Sequence, residues 1–178
     1  MKSVILYILS HLQSKRSVYF VVKTAFIAQQ KHLAEYYVPL FVDDIKALQF
    51  GPVPSDVYDA LKIARGDKST LRYHESDGLH TVGDAIRFED ERFFAAEEPD
   101  LEMLSPSAIK CLDYAISVVE NMSFNEVMQT THNDEWSRAY YDRHSNIMNP
   151  LEIAKEGGID PMGLAYLESQ IEIDNLLK

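Results

Sequence analysis

A mainly α-helical chain with one small antiparallel β element, packed as a compact single-domain bundle, is what the sequence predicts. Apolar residues recur at three- and four-residue spacing through most of the chain, the period of a helix with one buried face. Helix-start signals punctuate the C-terminal half: Ser105-Pro106, Ser123-Phe124-Asn125-Glu126, Asn149-Pro150 and Asp160-Pro161. Between Asp67 and Glu98 the helical period disappears. There Ala85–Glu89 and Arg92–Ala95 read as two short strands around Asp90-Glu91.

Taken in order, Ile5, Ile8, Leu9 and Leu12 share one face of a first helix. Lys15-Arg16-Ser17 interrupts it, and Ser17 is a candidate cap for a second helix carrying Val18, Val21, Val22, Ala25 and Phe26, ended by Pro39. The β-branched run Val18–Val22 would also suit a strand. Ile45–Phe50 reads as a short apolar strand and Gly51-Pro52-Val53-Pro54 as a rigid turn. Its two prolines lack backbone donors, which argues against pairing inside a sheet. A helix follows from Pro54 or Ser55, with Val57, Tyr58 and Leu61 inward and Gly66 at its end. Asp77-Gly78 and Gly83-Asp84 are predicted to lie in exposed, mobile loops. Ile109, Leu112, Ile116 and Val119 stripe the helix after Ser105-Pro106, and a helix is predicted over Thr131–Asp142. The last helix, from Met162, has Leu164, Leu167 and Ile171 on one side, placed to dock on the core or to pair with another chain.

The chain's 178 residues suit one domain, predicted over 1–178 with a C-terminal helical extension at 149–178. A net charge of −11 argues against a nucleic-acid footprint and favours solubility or a basic partner. The single cysteine, Cys111, excludes an internal disulfide and a cysteine-based zinc site. The apolar stretch Val4–Leu12 is far short of a membrane span and has no cleavage site after it, so the cytoplasm and no membrane association are expected.

The chemistry-bearing residues form no known catalytic constellation. Six histidines, His74 and His80 among them, make no close pair and no His-Glu-x-x-His, so no metal and no cofactor are expected. A nucleophile elbow, a phosphate-binding glycine loop and a dinucleotide fingerprint are all absent. Asp43-Asp44 and Glu89-Asp90-Glu91 read as solvated loop charges. His132 and Glu135 are helix neighbours able to act as an acid/base couple, or His132 simply orients Trp136. Lys62, Arg65, Lys68 and Arg72 read as a solvated helix end, the alternative being a small basic face. A non-enzymatic protein is the expectation.

The run Pro39-Leu40-Phe41-x-Asp43-Asp44-Ile45-x-Ala47-Leu48-Gln49-Phe50-Gly51-Pro52-Val53-Pro54-x-x-Val57-Tyr58-x-x-Leu61, followed later by Thr131-His132-x-x-x-Trp136, resembles the Panacea domain. This is the SocA-like antitoxin family, found also in phage-associated proteins of the GepA type. The resemblance spans about residues 4–142. The second helix departs from it, with Val-Val-Lys-Thr-Ala-Phe-Ile-Ala where many members read closer to Lys-Leu-Leu-Tyr-Leu-Ala. The resemblance implies an antitoxin that neutralises a cognate toxin, encoded next to it, by direct binding, and that can hand it to an ATP-dependent protease as an adaptor. The motif positions carried over are Phe50, Gly51, Pro52, Val53, Pro54, Tyr58, His132 and Trp136, either as a packing joint or as partner contacts. A phage-associated regulator or a small hydrolase using His132 and Glu135 is the alternative function.

Overall fold

The computed structural model describes residues 1–73 and 78–176. Helix α1 (Lys2–His11) leads into α2 (Val18–Tyr36), the helix around which the others pack. Val21, Val22, Ala25, Phe26, Ile27, Ala28 and Leu33 of α2 are buried, so apolar packing surrounds it on nearly every side. That burial outweighs the strand preference of its β-branched start. Ser17 stands at the cap position but makes no side-chain cap bond. Three polar side chains buried on α2 hold the chain that follows. Gln29 receives the N–H groups of Leu40 (2.8 Å) and Phe41 (3.2 Å) on Oε1 and donates from Nε2 to the Phe41 carbonyl (3.1 Å). His32 contacts the Val38 carbonyl through Nδ1 and the Ser107 hydroxyl through Nε2. Lys23 belongs to the site described below.

The Gly-Pro-Val-Pro segment is a strand, not a turn. β1 (Ile45–Leu48) and β2 (Gly51–Pro54) form an antiparallel hairpin whose two-residue turn is Gln49-Phe50. The register explains how two prolines fit. Pro52 and Pro54 lie opposite Ala47 and Ile45, whose own backbone groups point the other way, from the Ala47 N–H to Asn146 and from the Met148 N–H to the Ile45 carbonyl. The prolines therefore occupy non-hydrogen-bonded pairs, where a missing N–H removes nothing from the ladder.

Helix α3 (Ser55–Ala64) leaves β2 directly. Its first N–H groups are capped from before the hairpin: the Asp43 carboxylate accepts from Asp56 (3.0 Å) and Val57 (3.3 Å). Asp43 is thus a half-buried structural group, not a solvated loop charge, and only Asp44 is exposed. Gly66, at φ +85°, closes α3 as expected: its N–H reaches the Ile63 carbonyl and the Asp67 N–H reaches Lys62.

The stretch read as aperiodic contains two short helices, α4 (Lys68–Tyr73) and α5 (Leu79–Asp84). Six residues each is too short to show a period. Gly83 is not in a loop: it is buried in α5, and a Cβ there would lie 2.3 Å from Ile63 Cγ2. Asp77 and His74 fall outside the described residues. The second hairpin stands as expected, β3 (Ile86–Glu89) against β4 (Arg92–Ala95), with Asp90 and Glu91 both at positive φ in its two-residue turn.

In the C-terminal half the start signals act as read. Ser105 Oγ caps α6 (Pro106–Asn121), and Ser123 and Glu126 form a reciprocal capping box on α7 (Phe124–Thr131). The helix predicted over Thr131–Asp142 instead breaks at His132. Thr131 ends α7, and Asn133 Oδ1 caps α8 (Asp134–Tyr141) by accepting the Trp136 N–H at 2.9 Å. Asn149 and Asp160 cap α9 (Pro150–Glu156) and α10 (Pro161–Leu176). Ile153 and Ala154 of α9 and Leu167 of α10 join the same hydrophobic core as α1, α2 and α6. The architecture is mainly α-helical, with two small two-stranded antiparallel sheets among the described residues.

Candidate functional site

The two motifs meet at Gly51. Its φ of +97° is open to glycine but strained for other residues, and space makes the same demand. A Cβ would lie 2.7 Å from Lys23 Nζ and 3.0 Å from both His132 Cδ2 and Thr131 Oγ1. Strand β2 therefore lies directly against α2 and against the α7–α8 break, which is where the break delivers its side chains. Thr131 is buried and returns its hydroxyl to the Val127 carbonyl (2.9 Å). His132 stacks on Trp136, with ring centroids 3.7 Å apart and planes 9° from parallel, and Trp136 stacks in turn on Tyr140 at 4.8 Å. The Trp136 indole N–H donates to the Leu48 carbonyl at 3.0 Å, tying the hairpin to α8.

Beneath the hairpin sits Lys23, fully buried, its Nζ donating to the Pro52 carbonyl at 2.7 Å. Burial pushes its amine down to about 7. His132 is also held below the usual imidazole value, first by burial and then by the neighbouring Lys23, while a hydrogen bond with the Phe50 backbone opposes the shift. The His132 Nε2 is buried with no hydrogen-bond partner, which favours the neutral ring with its proton on Nδ1.

The outer side of the same joint is different. Phe50, in the hairpin turn, is 53% exposed, and its ring stands 6.0 Å from that of the exposed Phe124 on α7. Tyr19 of α2 packs on Phe124 at 4.2 Å. Beside this cluster a groove of about 300 Å³ is walled by Val18, Tyr19, Val22, Phe50, Val53 and Tyr58, with the buried Lys23 next to it. Burial raises the Tyr19 hydroxyl to about 12, so it stays a neutral donor at physiological pH.

The motif positions thus divide into two groups. Gly51, Pro52, Pro54, His132 and Trp136 make the inner joint, while Phe50, Val53 and Tyr58 face the groove. Lys23, Tyr19 and Phe124 were not singled out from the sequence. The one signal for Lys23 was a charged residue inside the apolar run Val21-Val22-Lys23-Thr24-Ala25. The His132–Glu135 couple is not assembled. Glu135 is buried with its carboxylate gripped by Arg138 Nε (2.6 Å) and Nη2 (2.7 Å) and by the Asn149 N–H. In the suggested basic face, Lys62 pairs with Asp59 at 2.5 Å and lies over the Tyr58 ring. Among the described residues no group of side chains could hold a metal ion, and no helix is long and apolar enough to cross a membrane.

Comparison with known proteins agrees with the motif reading. No curated protein and no solved structure matches the chain. Residues 21–137, more than half of the chain and the part that contains most of α2, both hairpins and the Thr131–Trp136 joint, match the family model of the antitoxin SocA-like, Panacea domain. The chain belongs to the SocA-like antitoxin family.

Proposed function

We propose that this protein neutralises a cognate toxin by binding it directly, and that the groove walled by Phe50, Val53 and Tyr58 is the contact surface. The observation that carries this reading is the exposure of Phe50 beside Phe124 above a hairpin that is tied down on its other side. An exposed aromatic ring on the wall of an apolar groove, with a second exposed ring against it, is the kind of anchor that dominates protein interfaces. The bracing by Trp136, Lys23 and the fixed Gly51 leaves the anchors preorganised, so little conformational entropy is lost on binding. Covering the toxin's working face is then enough for neutralisation. In the same reading the bound toxin is presented to an ATP-dependent protease, the role the family suggests, and the complex works in the cytoplasm.

The test is co-expression of this chain with the product of the adjacent open reading frame. That product is expected to arrest growth alone, to be tolerated when this protein is present, and to co-purify with it. A harmless neighbour and no complex would overturn the reading. The adaptor role predicts a shorter toxin half-life in cells containing both this protein and the protease than in protease-deficient cells. The hydrolase alternative has no geometric support, because Arg138 and the Asn149 N–H, not His132, engage the Glu135 carboxylate.

A further inference from the structure

A second cavity, of about 740 Å³, lies where the end of α2 meets the start of α6, and His32, Val38, Ser105 and Ser107 stand in its wall. His32 is nine residues beyond Lys23 in α2, about 14 Å along the helix, so this cavity is separate from the groove. The His32 ring is buried and both of its nitrogens are engaged. Nδ1 lies 2.8 Å from the Val38 carbonyl, which only accepts, so Nδ1 carries the proton. Nε2 of the neutral ring is then an acceptor, and the Ser107 hydroxyl, 3.1 Å away, donates to it. The Ser105 hydroxyl, 2.7 Å from Ser107 Oγ, donates to that oxygen in turn.

These bonds exceed what anchoring requires. Ser105 Oγ already caps α6 through the Ala108 N–H (3.1 Å), and Gln29 already holds the chain at Leu40 and Phe41. Ser107, half-buried on the cavity wall, serves neither purpose. A hydroxyl bonded to an acceptor imidazole, whose far nitrogen is fixed by a third group, is the arrangement that activates a serine. Here the third group is a backbone carbonyl in place of a carboxylate. An oxyanion donor is at hand as well. Pro106 has no N–H, Ala108 donates to Ser105 Oγ, and Ile109 donates to the Ser105 carbonyl, which leaves the Ser107 N–H at the helix start.

We propose that Ser107 and His32 are a nucleophile and base that hydrolyse small uncharged esters in this cavity. Ser107 Oγ bonds to the acyl carbon while its proton passes to His32 Nε2, and the Ser107 N–H receives the oxyanion. The ester C–O bond then breaks, and the leaving oxygen takes the proton from Nε2 and departs as the alcohol. Water next gives a proton to Nε2 and attacks the acyl carbon. Ser107 Oγ leaves with that proton, and the acid is released. The Val38 carbonyl positions the ring and stabilises the imidazolium between these transfers. Charges of both signs stand at the cavity, with Glu97 paired to Lys2 at 2.5 Å and Glu98 and Asp100 near the Met1 terminus. The apolar walls at Leu40, Met103 and Leu104 therefore set the substrate class, an uncharged acyl chain. The proposal does not rest on toxin binding.

The test uses p-nitrophenyl acetate with the purified full chain, followed by the absorbance of released p-nitrophenol. Turnover beyond one equivalent is expected. Ser107→Ala and His32→Gln are each expected to lower kcat/KM at least about a hundredfold, with unchanged circular-dichroism spectra. His32→Gln offers a donor to Val38 and an acceptor to Ser107 but no base, so a merely structural histidine would tolerate it. Ser107→Ala leaves the Ser105 cap in place and carries the test if His32→Gln does not fold. A fluorophosphonate, which loses fluoride to an activated serine, is expected to leave its adduct on the peptide containing Ser107. Release no faster than in buffer, a rate that survives in Ser107→Ala, or the absence of an adduct on Ser107 overturns the proposal.

Discussion

Gly51 and Lys23 are the two residues at which local chemistry is most constrained. Replacing Gly51 by alanine asks for a left-handed backbone and inserts a methyl group between Lys23, His132 and Thr131. Gly51→Ala is expected to cost about 2 kcal/mol or more, measured as a lowered urea midpoint. Lys23 is held down to about 7 from an ordinary 10.5, so between those values the unfolded chain binds the extra proton. Stability should rise with pH across about 7 to 10.5 and level off outside that window. Lys23→Met removes the slope and is expected to stabilise the protein at neutral pH by an amount on the order of 2 kcal/mol, less the loss of the Pro52 carbonyl's partner. A pH series of denaturant titrations on both proteins measures this directly. The glycine was visible in the sequence as part of a motif, but its reason was not. The lysine that approaches it comes from a helix 28 positions earlier, and spacing along the chain carries no information about that contact.

At the scale of elements, the hairpin β1–β2 joins a capping device to a packing joint. Asp43 closes the start of α3, yet its carboxyl is raised to about 6, mainly by burial and then by the charges of Asp56 and Asp44, while the backbone N–H groups of Asp56 and Val57 pull the other way. A carboxyl raised in the fold favours the protonated state, so its contribution is greatest below 3.8 and is lost as pH rises through about 6. Asp43→Asn keeps an acceptor for the α3 N–H groups and is expected to flatten the stability profile between about 4 and 6, whereas Asp43→Ala should cost about 1 kcal/mol for the lost cap. On the other side of the hairpin, Trp136→Phe keeps an aromatic ring but removes the bond to Leu48 and part of a buried ring's volume, an expected loss of at least about 1 kcal/mol by thermal or urea unfolding. Helix starts such as Ser105, Ser123 and Asn149 were legible because a cap acts within four residues. The turn at Gln49-Phe50 was not, because two prolines in four residues mimic a turn unless the partner strand's register is known.

For the whole molecule, the inner joint and the outer groove should respond differently to mutation. Phe50→Ala removes an exposed ring, so stability is expected to stay within about 0.5 kcal/mol. The same change is expected to weaken the toxin complex by at least about tenfold and to restore toxicity in co-expression. Tyr58→Ala, half-buried in the groove wall, should lower both stability and binding. Calorimetric titration against purified toxin, beside unfolding curves for each variant, distinguishes an anchor from a support.

Composition, helical periodicity and capping signals were sufficient to determine a mainly helical chain with a second hairpin at residues 86–95, and the spacing of two motifs was sufficient to place it among SocA-like antitoxins. These are properties of near neighbours in sequence or of ordered residue runs. Tertiary structure decided that Gly-Pro-Val-Pro is a strand, that Asp43 is a cap, that Glu135 belongs to Arg138, and that Lys23 lies under Gly51. Each depends on a pairing register or on a contact made only when separate elements pack. The motif that identifies the family therefore also conceals a buried lysine, because the residue that makes its glycine necessary lies outside it.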